Sequence, residues 1–148
     1  MNSFPDAARI ASTALLLALT GVVGNARADD VPSPCTALKR IVSASPDGFS
    51  TLTPEDGHGI ARPDGSNPQC GAANRTYRCE WTPRQGTGTV SDAVEGVAAD
   101  IASCLPDATH DVNSPARQHF YLGNRGNRTQ ITVTTADGGR IALVVSGH

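Results

Sequence analysis

The chain has 148 residues, with 12 Lys and Arg against 14 Asp and Glu, so its formal net charge at pH 7 is −2. No segment gathers the basic residues into a stripe, which argues against nucleic acid as a partner. Aromatic residues make up only 4% of the chain, so a buried core has to be mostly aliphatic. The length fits one domain.

Residues 1–28 have the features of a secretory signal peptide. An apolar stretch runs from Thr13 to Gly24, and Ala26-Arg27-Ala28 is a small-residue cleavage motif. A membrane anchor is the alternative, but this stretch is shorter than the roughly 20 residues that span a bilayer. We therefore expect one mature domain, residues 29–148, that is periplasmic or secreted and has no membrane span.

The first predicted helix begins at Ser33-Pro34, because Ser is a good N-cap and Pro suits the first helical position. Apolar residues then recur at helical spacing, and the helix ends before Pro46. Residues 49–53 are predicted as a short strand. Residues 54–74 are rich in Gly and Pro and are interpreted as a long loop, either functional or loosely ordered.

Residues 76–82 are predicted as a strand, since the odd-numbered residues are apolar and the even-numbered ones charged or polar. Residues 90–105 carry apolar side chains at helical spacing, which predicts an amphipathic helix. Thr89 or Ser91 is the expected N-cap, and Pro106 ends the helix because Pro cannot continue its hydrogen bonds.

A connecting loop is expected at residues 107–116, followed by three strands at residues 118–122, 129–135 and 140–146. The gaps between these strands are too short for a parallel crossover, so they must form an antiparallel meander.

The turn between the last two strands contains Asp137-Gly138-Gly139. A three-residue loop pairs Val133 with Leu143 and sorts the apolar residues onto one face, whereas a two-residue loop mixes the faces. We therefore predict the three-residue loop, with Gly139 in the left-handed conformation that such hairpins require.

The predicted order of elements is α-β-β-α-β-β-β. This order predicts a two-layer α+β sandwich, with an antiparallel sheet and two helices on one of its faces. The side chains expected between the layers are Phe49, Tyr77, Trp81, Ile131, Val133, Leu143 and Val145 from the sheet, and Leu38, Ile41, Val94, Val97, Ile101 and Leu105 from the helices.

An even number of cysteines in an exported chain indicates two disulfides. The favoured pairing is Cys35–Cys104 with Cys70–Cys79, which joins the two helices and closes a local loop. Pairing Cys79 with Cys104 and Cys35 with Cys70 is also possible, because Cys79 lies on the inward face of its strand. A zinc site is the other alternative, but zinc-binding cysteines come in closer pairs than these.

No catalytic or nucleotide-binding motif is found, and no metal or cofactor is expected. Asp56-Gly57-His58-Gly59 and His110-Asp111 each place a carboxylate beside an imidazole, an arrangement that can do acid–base work. Solvated loop residues are the more common interpretation of both. The sequence Asn-Arg-Thr occurs twice, with Arg75 and Arg128, and Arg125 is close by. If these loops share one edge, the arginines form an anion-binding rim.

The sheet face away from the helices is the preferred candidate for binding. Alternation places polar side chains there together with a few apolar ones. An antiparallel sheet can simply expose such a face to water, but the combination is also found at partner-binding surfaces. An unpaired edge strand could also bind a partner by strand addition. The predicted binding residues on this face are Arg78, Glu80, His119, Tyr121, Thr132, Thr134 and Val144.

Tyr77-Arg78-Cys79 resembles the Tyr-x-Cys strand of small periplasmic lysozyme inhibitors. Those proteins are largely β, so the strong helix at residues 90–105 departs from their pattern and the chain is not assigned to them. We predict a small exported binding or inhibitor-like module that binds another protein and has no catalytic activity. The alternatives are a small secreted hydrolase that uses a loop His with a carboxylate, and an envelope accessory or chaperone-like protein that dimerises.

Overall fold

The computed structural model describes residues 33–61, 65–66, 68–86 and 88–147. The predicted signal peptide at residues 1–28 lies outside the described residues. The helices are α1 (Pro34–Ser43) and α2 (Val90–Cys104), with short 3-10 turns at Pro54–Gly57 and Asp137–Gly139. The strands are β1 (Gln69–Ala73), β2 (Thr76–Trp81), β3 (Thr109–Ser114), β4 (Arg117–Leu122), β5 (Thr129–Ala136) and β6 (Arg140–Ser146).

The strands form one six-stranded antiparallel sheet in the order β1-β2-β6-β5-β4-β3. Helix α2 packs on β4, β5 and β6, and α1 packs beside α2. The predicted two-layer α+β class, with both helices on one face, is therefore confirmed.

Both helices begin at the caps that the sequence offers. The Ser33 hydroxyl accepts the backbone N–H of Thr36 at 3.2 Å, with Pro34 in the first helical position. At α2 the N-cap is Thr89 and not Ser91, because the Thr89 hydroxyl accepts the N–H of Asp92 while the Asp92 carboxylate accepts the N–H of Thr89. Such a reciprocal capping box satisfies two donors that the helix leaves unpaired.

The strand predicted at residues 49–53 is wrong. These residues form turns, and Phe49 has a φ of 64°, which is incompatible with a strand. Phe49 is nevertheless fully buried as expected. Two strands also lie inside the segments interpreted as loops. Strand β1 consists mostly of small residues and β3 mostly of polar ones, so neither has the apolar alternation by which a strand is recognised.

The predicted register of the last hairpin is confirmed. Val133 pairs with Leu143 and Ile131 with Val145 across β5 and β6. The three-residue connection holds Gly138 and Gly139 at φ values of 71° and 72°, a left-handed conformation that glycine adopts without steric cost. Correct register places the apolar residues of both strands under the helices.

The core lies between the sheet and the helices. Most of the residues expected there are buried, and Val97 is half-buried. Phe120 and Ile141 join them and were not on the predicted list. Tyr77 is fully buried, and its hydroxyl donates to the carbonyl oxygen of Thr53 at 2.7 Å. Burial raises the pKa of Tyr77 to about 12.

The disulfides are Cys35–Cys104 and Cys70–Cys79, which confirms the favoured pairing and excludes the rival one. The first joins the start of α1 to the end of α2. The second joins β1 to β2 and lies against the 3-10 turn at Pro54–Gly57. A Cβ atom at Gly57 would be only 2.2 Å from Cys70 Sγ, so this close packing requires glycine.

Candidate functional site

The face of the sheet away from the helices is called here the outer face. Directly paired residues of an antiparallel sheet point to the same side, so the register assigns every residue of this face. Its members are Gln69, Gly71 and Ala73 in β1, Thr76, Arg78 and Glu80 in β2, Arg140, Ala142, Val144 and Ser146 in β6, Gln130, Thr132, Thr134 and Ala136 in β5, Arg117, His119 and Tyr121 in β4, and Thr109, Asp111 and Ser114 in β3. All the predicted binding residues lie on it.

Glu80 lies between two arginines on the outer face. Arg78 Nε donates to Glu80 Oε1 at 2.7 Å, and Arg140 Nη2 lies 3.0 Å from Glu80 Oε2. The hydrogen bond from Arg78, together with the charges of both arginines, lowers the pKa of Glu80. Ala142, next to Glu80 in the register, is fully buried although it faces outward. The carboxylate is therefore held in place, and the longer side chains enclose the alanine.

His119 lies in a second polar network. Arg117 Nε donates to His119 Nε2 at 3.1 Å, and His119 Nδ1 is 3.0 Å from the hydroxyl of Thr132. A ring nitrogen that accepts from arginine carries no proton, so this geometry requires a neutral imidazole. Burial lowers the pKa of His119, and the charge of Arg117 lowers it further. These contacts favour a structural role for His119, as a hydrogen-bond acceptor, over a role as a proton donor.

Tyr121 supplies an aromatic surface next to this network. Its ring is nearly parallel to that of His119, with centroids 6.3 Å apart. The guanidinium of Arg128 lies over the ring, with Cζ 4.8 Å from its centroid, which is a cation–π arrangement. Tyr121 and Val144 are both half-exposed, so the face offers apolar area among its charges.

The charge of the outer face is opposite to that of the whole chain. The described part of this face, with Arg128 above it, holds four arginines and two carboxylates, Glu80 and Asp111. On the other side of the molecule, α1, α2 and the 3-10 turn at Pro54–Gly57 contain five acidic residues and two basic ones, Lys39 and Arg40. The two sides therefore carry opposite charge.

Three of the arginines, Arg117, Arg128 and Arg140, were missing from the predicted site. Two of them are the first residues of their strands, and Arg128 precedes the first residue of β5. Sequence position alone does not say whether such residues point into the face. Arg140 could have been assigned to the outer face from the sequence, because it lies at alternate positions with Ala142 and Val144 in the same strand.

The histidines of the described chain do not converge on one site. His58 lies at the end of the 3-10 turn on the helical side, and His110 Nε2 is 2.7 Å from Gln118 Oε1 with its ring stacked on Phe120. Only His119 is on the outer face. Among the described residues no group of three His, Cys, Asp or Glu side chains is placed to hold a metal ion. All the cysteines are in disulfides, so no thiolate is present to act as a nucleophile.

The two Asn-Arg-Thr segments lie at the same end of the sheet. Asn74 and Arg75 form the turn between β1 and β2 with φ values of 49° and 57°, and Arg128 precedes β5. Between them is an open cleft of about 350 Å³, lined by Asn74, Arg75, Thr76, Arg128, Gln130, Ser146 and Gly147. The predicted arginine rim thus forms from Arg75 and Arg128, but Arg125 does not line the cleft.

A larger groove of about 520 Å³ lies on the helical side, between α2 and the end of β2. Trp81, Ile60 and Ile141 line it with the exposed flank of α2, including Asp92 and Asp100. Sequence reasoning missed this groove because Ile60 belongs to a segment without periodicity.

The two edges of the sheet differ in their protection. Strand β3 contains the charged residue Asp111 and a break in register between Val112 and Ser114. Strand β1 has no charged residue, and most of its residues are exposed. Charged residues and bulges are the usual features that prevent strand addition. Of the two edge strands, only β3 has them.

No helix among the described residues is both long and apolar enough to cross a membrane. Comparisons of the chain with protein-family models, with curated proteins and with solved structures find no match.

Proposed function

We propose that this protein is an exported, disulfide-stabilised binding module without catalytic activity, and that its outer face docks on an acidic surface of another protein. The observation that carries the proposal is the positive charge of a sheet face that no described helix covers, in a chain whose net charge is negative. Complementary charge speeds association and selects among partners.

The groups on the outer face are already held in place. Glu80 is fixed by Arg78 and Arg140, and His119 by Arg117 and Thr132. A surface whose side chains are ordered before binding loses less conformational entropy when a partner arrives. The partly exposed Tyr121 and Val144 supply the apolar contact that charges alone do not give.

The outer face can supply more than half of one partner's share of a standard interface. Six strands at ordinary spacing span about 24 Å, and six residues along a strand span about 20 Å. The projected area is therefore about 480 Å², compared with the roughly 800 Å² that each partner buries in a standard interface.

Export follows from the signal-peptide interpretation of residues 1–28, and two disulfides suit an oxidising compartment such as the periplasm or the extracellular space. In such a compartment the disulfides stabilise the small domain because they restrict the conformations of the unfolded chain. The proposed role needs no cofactor.

The test is capture of a partner from envelope and culture-supernatant fractions on the immobilised protein. We expect an acidic protein in stoichiometric amount, released as the salt concentration rises. Arg78→Glu, Val144→Asp and Tyr121→Ala should each abolish capture, whereas Lys39→Glu, an exposed charge reversal on α1, should leave it intact. Thermal melting confirms that each variant is folded.

Unchanged capture by all the outer-face variants would overturn the proposal. Loss of capture with Lys39→Glu to the same degree would do so too, because the effect would then be one of net charge alone. Nucleic acid in the captured fraction would point to a different class of partner.

An accessory protein that dimerises is the second candidate function. It is favoured by the uncharged, exposed edge strand β1, on which a second copy could add its own β1. Sedimentation at micromolar concentration tests it: a dimer that is lost in Ala72→Lys supports self-association, and a monomer excludes it.

A further inference from the structure

The geometry points to an oxyanion site in the cleft between the β1–β2 turn and the start of β5. The ligand class is a carboxylate or a phosphate, with Arg128 as the main contact and Arg75 as a second cation. Such a site goes beyond the proposed function, since a free anion would occupy it without any protein partner.

The floor of the cleft is a row of neutral hydrogen-bonding side chains. Thr76 pairs with Ser146, and Ser146 pairs with Gln130, so two hydroxyls and one amide stand side by side on adjacent strands. All three groups can donate to an oxygen atom. No acidic residue lines this cleft. A surface with hydrogen-bond donors and no negative charge suits an anion.

Arg128 is held in position but forms no salt bridge with a described carboxylate. Its guanidinium lies over the Tyr121 ring, and this cation–π contact restrains its position. Its Nε is buried and has no acceptor among the described residues. A buried charged donor without a partner is unfavourable, and an oxyanion bound at the guanidinium would supply the missing counter-charge. Arginine binds such groups with two parallel N–H donors.

The other arginines of the sheet and α1 each have a polar partner. Arg78 and Arg140 share Glu80, Arg40 pairs with Asp56 at 2.5 Å, and Arg117 donates to His119. Among the described carboxylates, none forms a salt bridge with Arg75 or Arg128. Two cations without a counter-charge therefore line the same concave surface.

The opposite wall of the cleft is held by the backbone. Arg75 follows Asn74 in the left-handed region, as the second residue of a two-residue hairpin turn. The carbonyl oxygen of Arg75 accepts the N–H of Gly147 at 3.3 Å, which ties the turn to the chain that leaves β6. The side chain of Arg75 passes close to Gly48. The cleft thus exists before any ligand arrives.

The test is a titration of the protein with inorganic phosphate and with acetate, followed by amide NMR at constant ionic strength. We expect saturable shifts at Thr76, Ser146 and Gly147, and these should be small or absent with chloride. The stronger of the two anions identifies the class: acetate stands for carboxylates, including those of proteins, and phosphate for free phosphate and its esters.

Arg128→Gln should weaken binding about tenfold or more, since it removes a charge-assisted pair of hydrogen bonds. Arg75→Gln should weaken it less, and it serves as the second variant if Arg128→Gln unfolds. Arg125→Gln is the matched control, because Arg125 has the same charge in the same turn but does not line the cleft; its effect should be less than about twofold.

Absence of saturable shifts with both anions would overturn the site. Equal weakening by Arg125→Gln and Arg128→Gln would overturn it as well, because the effect would then be general charge attraction. Arg78→Glu, which lies outside the cleft, should leave anion binding intact while it abolishes protein capture, so failure of either proposal is recognised separately.

Discussion

The contact between Gly57 and the Cys70–Cys79 disulfide allows a direct test of how the 3-10 turn packs against the sheet. A Cβ atom at Gly57 would lie 2.2 Å from Cys70 Sγ and 2.6 Å from Cys79 Sγ. Ordinary van der Waals contact begins near 3.4 Å, so Gly57→Ala requires a displacement of roughly 1.2 Å in a close-packed region.

We expect Gly57→Ala to lower the free energy of unfolding by about 2–3 kcal/mol, a usual cost of overpacking. Displacement of the turn also disturbs the 2.7 Å hydrogen bond from Tyr77 to Thr53. Urea unfolding, followed by the fluorescence of the single tryptophan, Trp81, measures the loss. Gly96→Ala is the matched control: it is exposed in α2, its Cβ meets nothing within 4 Å, and it should raise stability by about 0.5–1 kcal/mol.

The same substitution in a Cys70→Ala/Cys79→Ala background isolates the steric cause. Without the sulfur atoms, the Cβ of residue 70 still lies 3.0 Å from the new methyl group. Gly57→Ala should then cost about 1 kcal/mol, which corresponds to a coupling of about 1–2 kcal/mol in the double-mutant cycle. An equal loss in both backgrounds, or no loss in either, would refute the reasoning.

Two further predictions concern Tyr77 and Thr89. Because the pKa of Tyr77 is raised to about 12 in the folded protein, its contribution to stability is fully present below pH 10 and is lost as the pH rises toward 12. Tyr77→Phe should remove about 2 kcal/mol of this alkaline loss, and identical urea midpoints for both proteins across that range would contradict the assignment. Thr89→Ala should cost about 1 kcal/mol by removing the N-cap of α2, while Ser91→Ala should change little; circular dichroism melts compare them, and a larger effect at Ser91 would place the cap there instead.

The elements that sequence reasoning predicted correctly are those with strong periodicity. Helix α2, strand β2 and the β5–β6 hairpin each bury one face, so their apolar residues recur at a spacing that reveals the element. The disulfides followed from their parity and from the positions of Cys35 and Cys104 at helix ends. Strands β1 and β3 were missed because they are the two edges of the sheet, where small or polar residues suffice.

The part of the candidate site that lies within regular strands was predictable from the same periodicity. Residues on β2, β4, β5 and β6 were assigned to the outer face by alternation, and the register brings them together. Residues at strand ends and in turns have no such periodicity. The positions of Arg117 and Arg128 depend on register and on side-chain direction, so the charge of the face and the cleft emerge only in three dimensions.

The place of β6 in the sheet has a consequence for the order in which the protein folds. Although β6 follows every other strand in the chain, it lies between β2 and β5 and is the link between the two halves of the sheet. During synthesis from the N-terminus, the sheet cannot close until residues 140–146 have emerged. Both disulfides involve residues no later than Cys104, so oxidation can precede closure. Until then the exposed edges of β2 and β5 are free to pair with other chains.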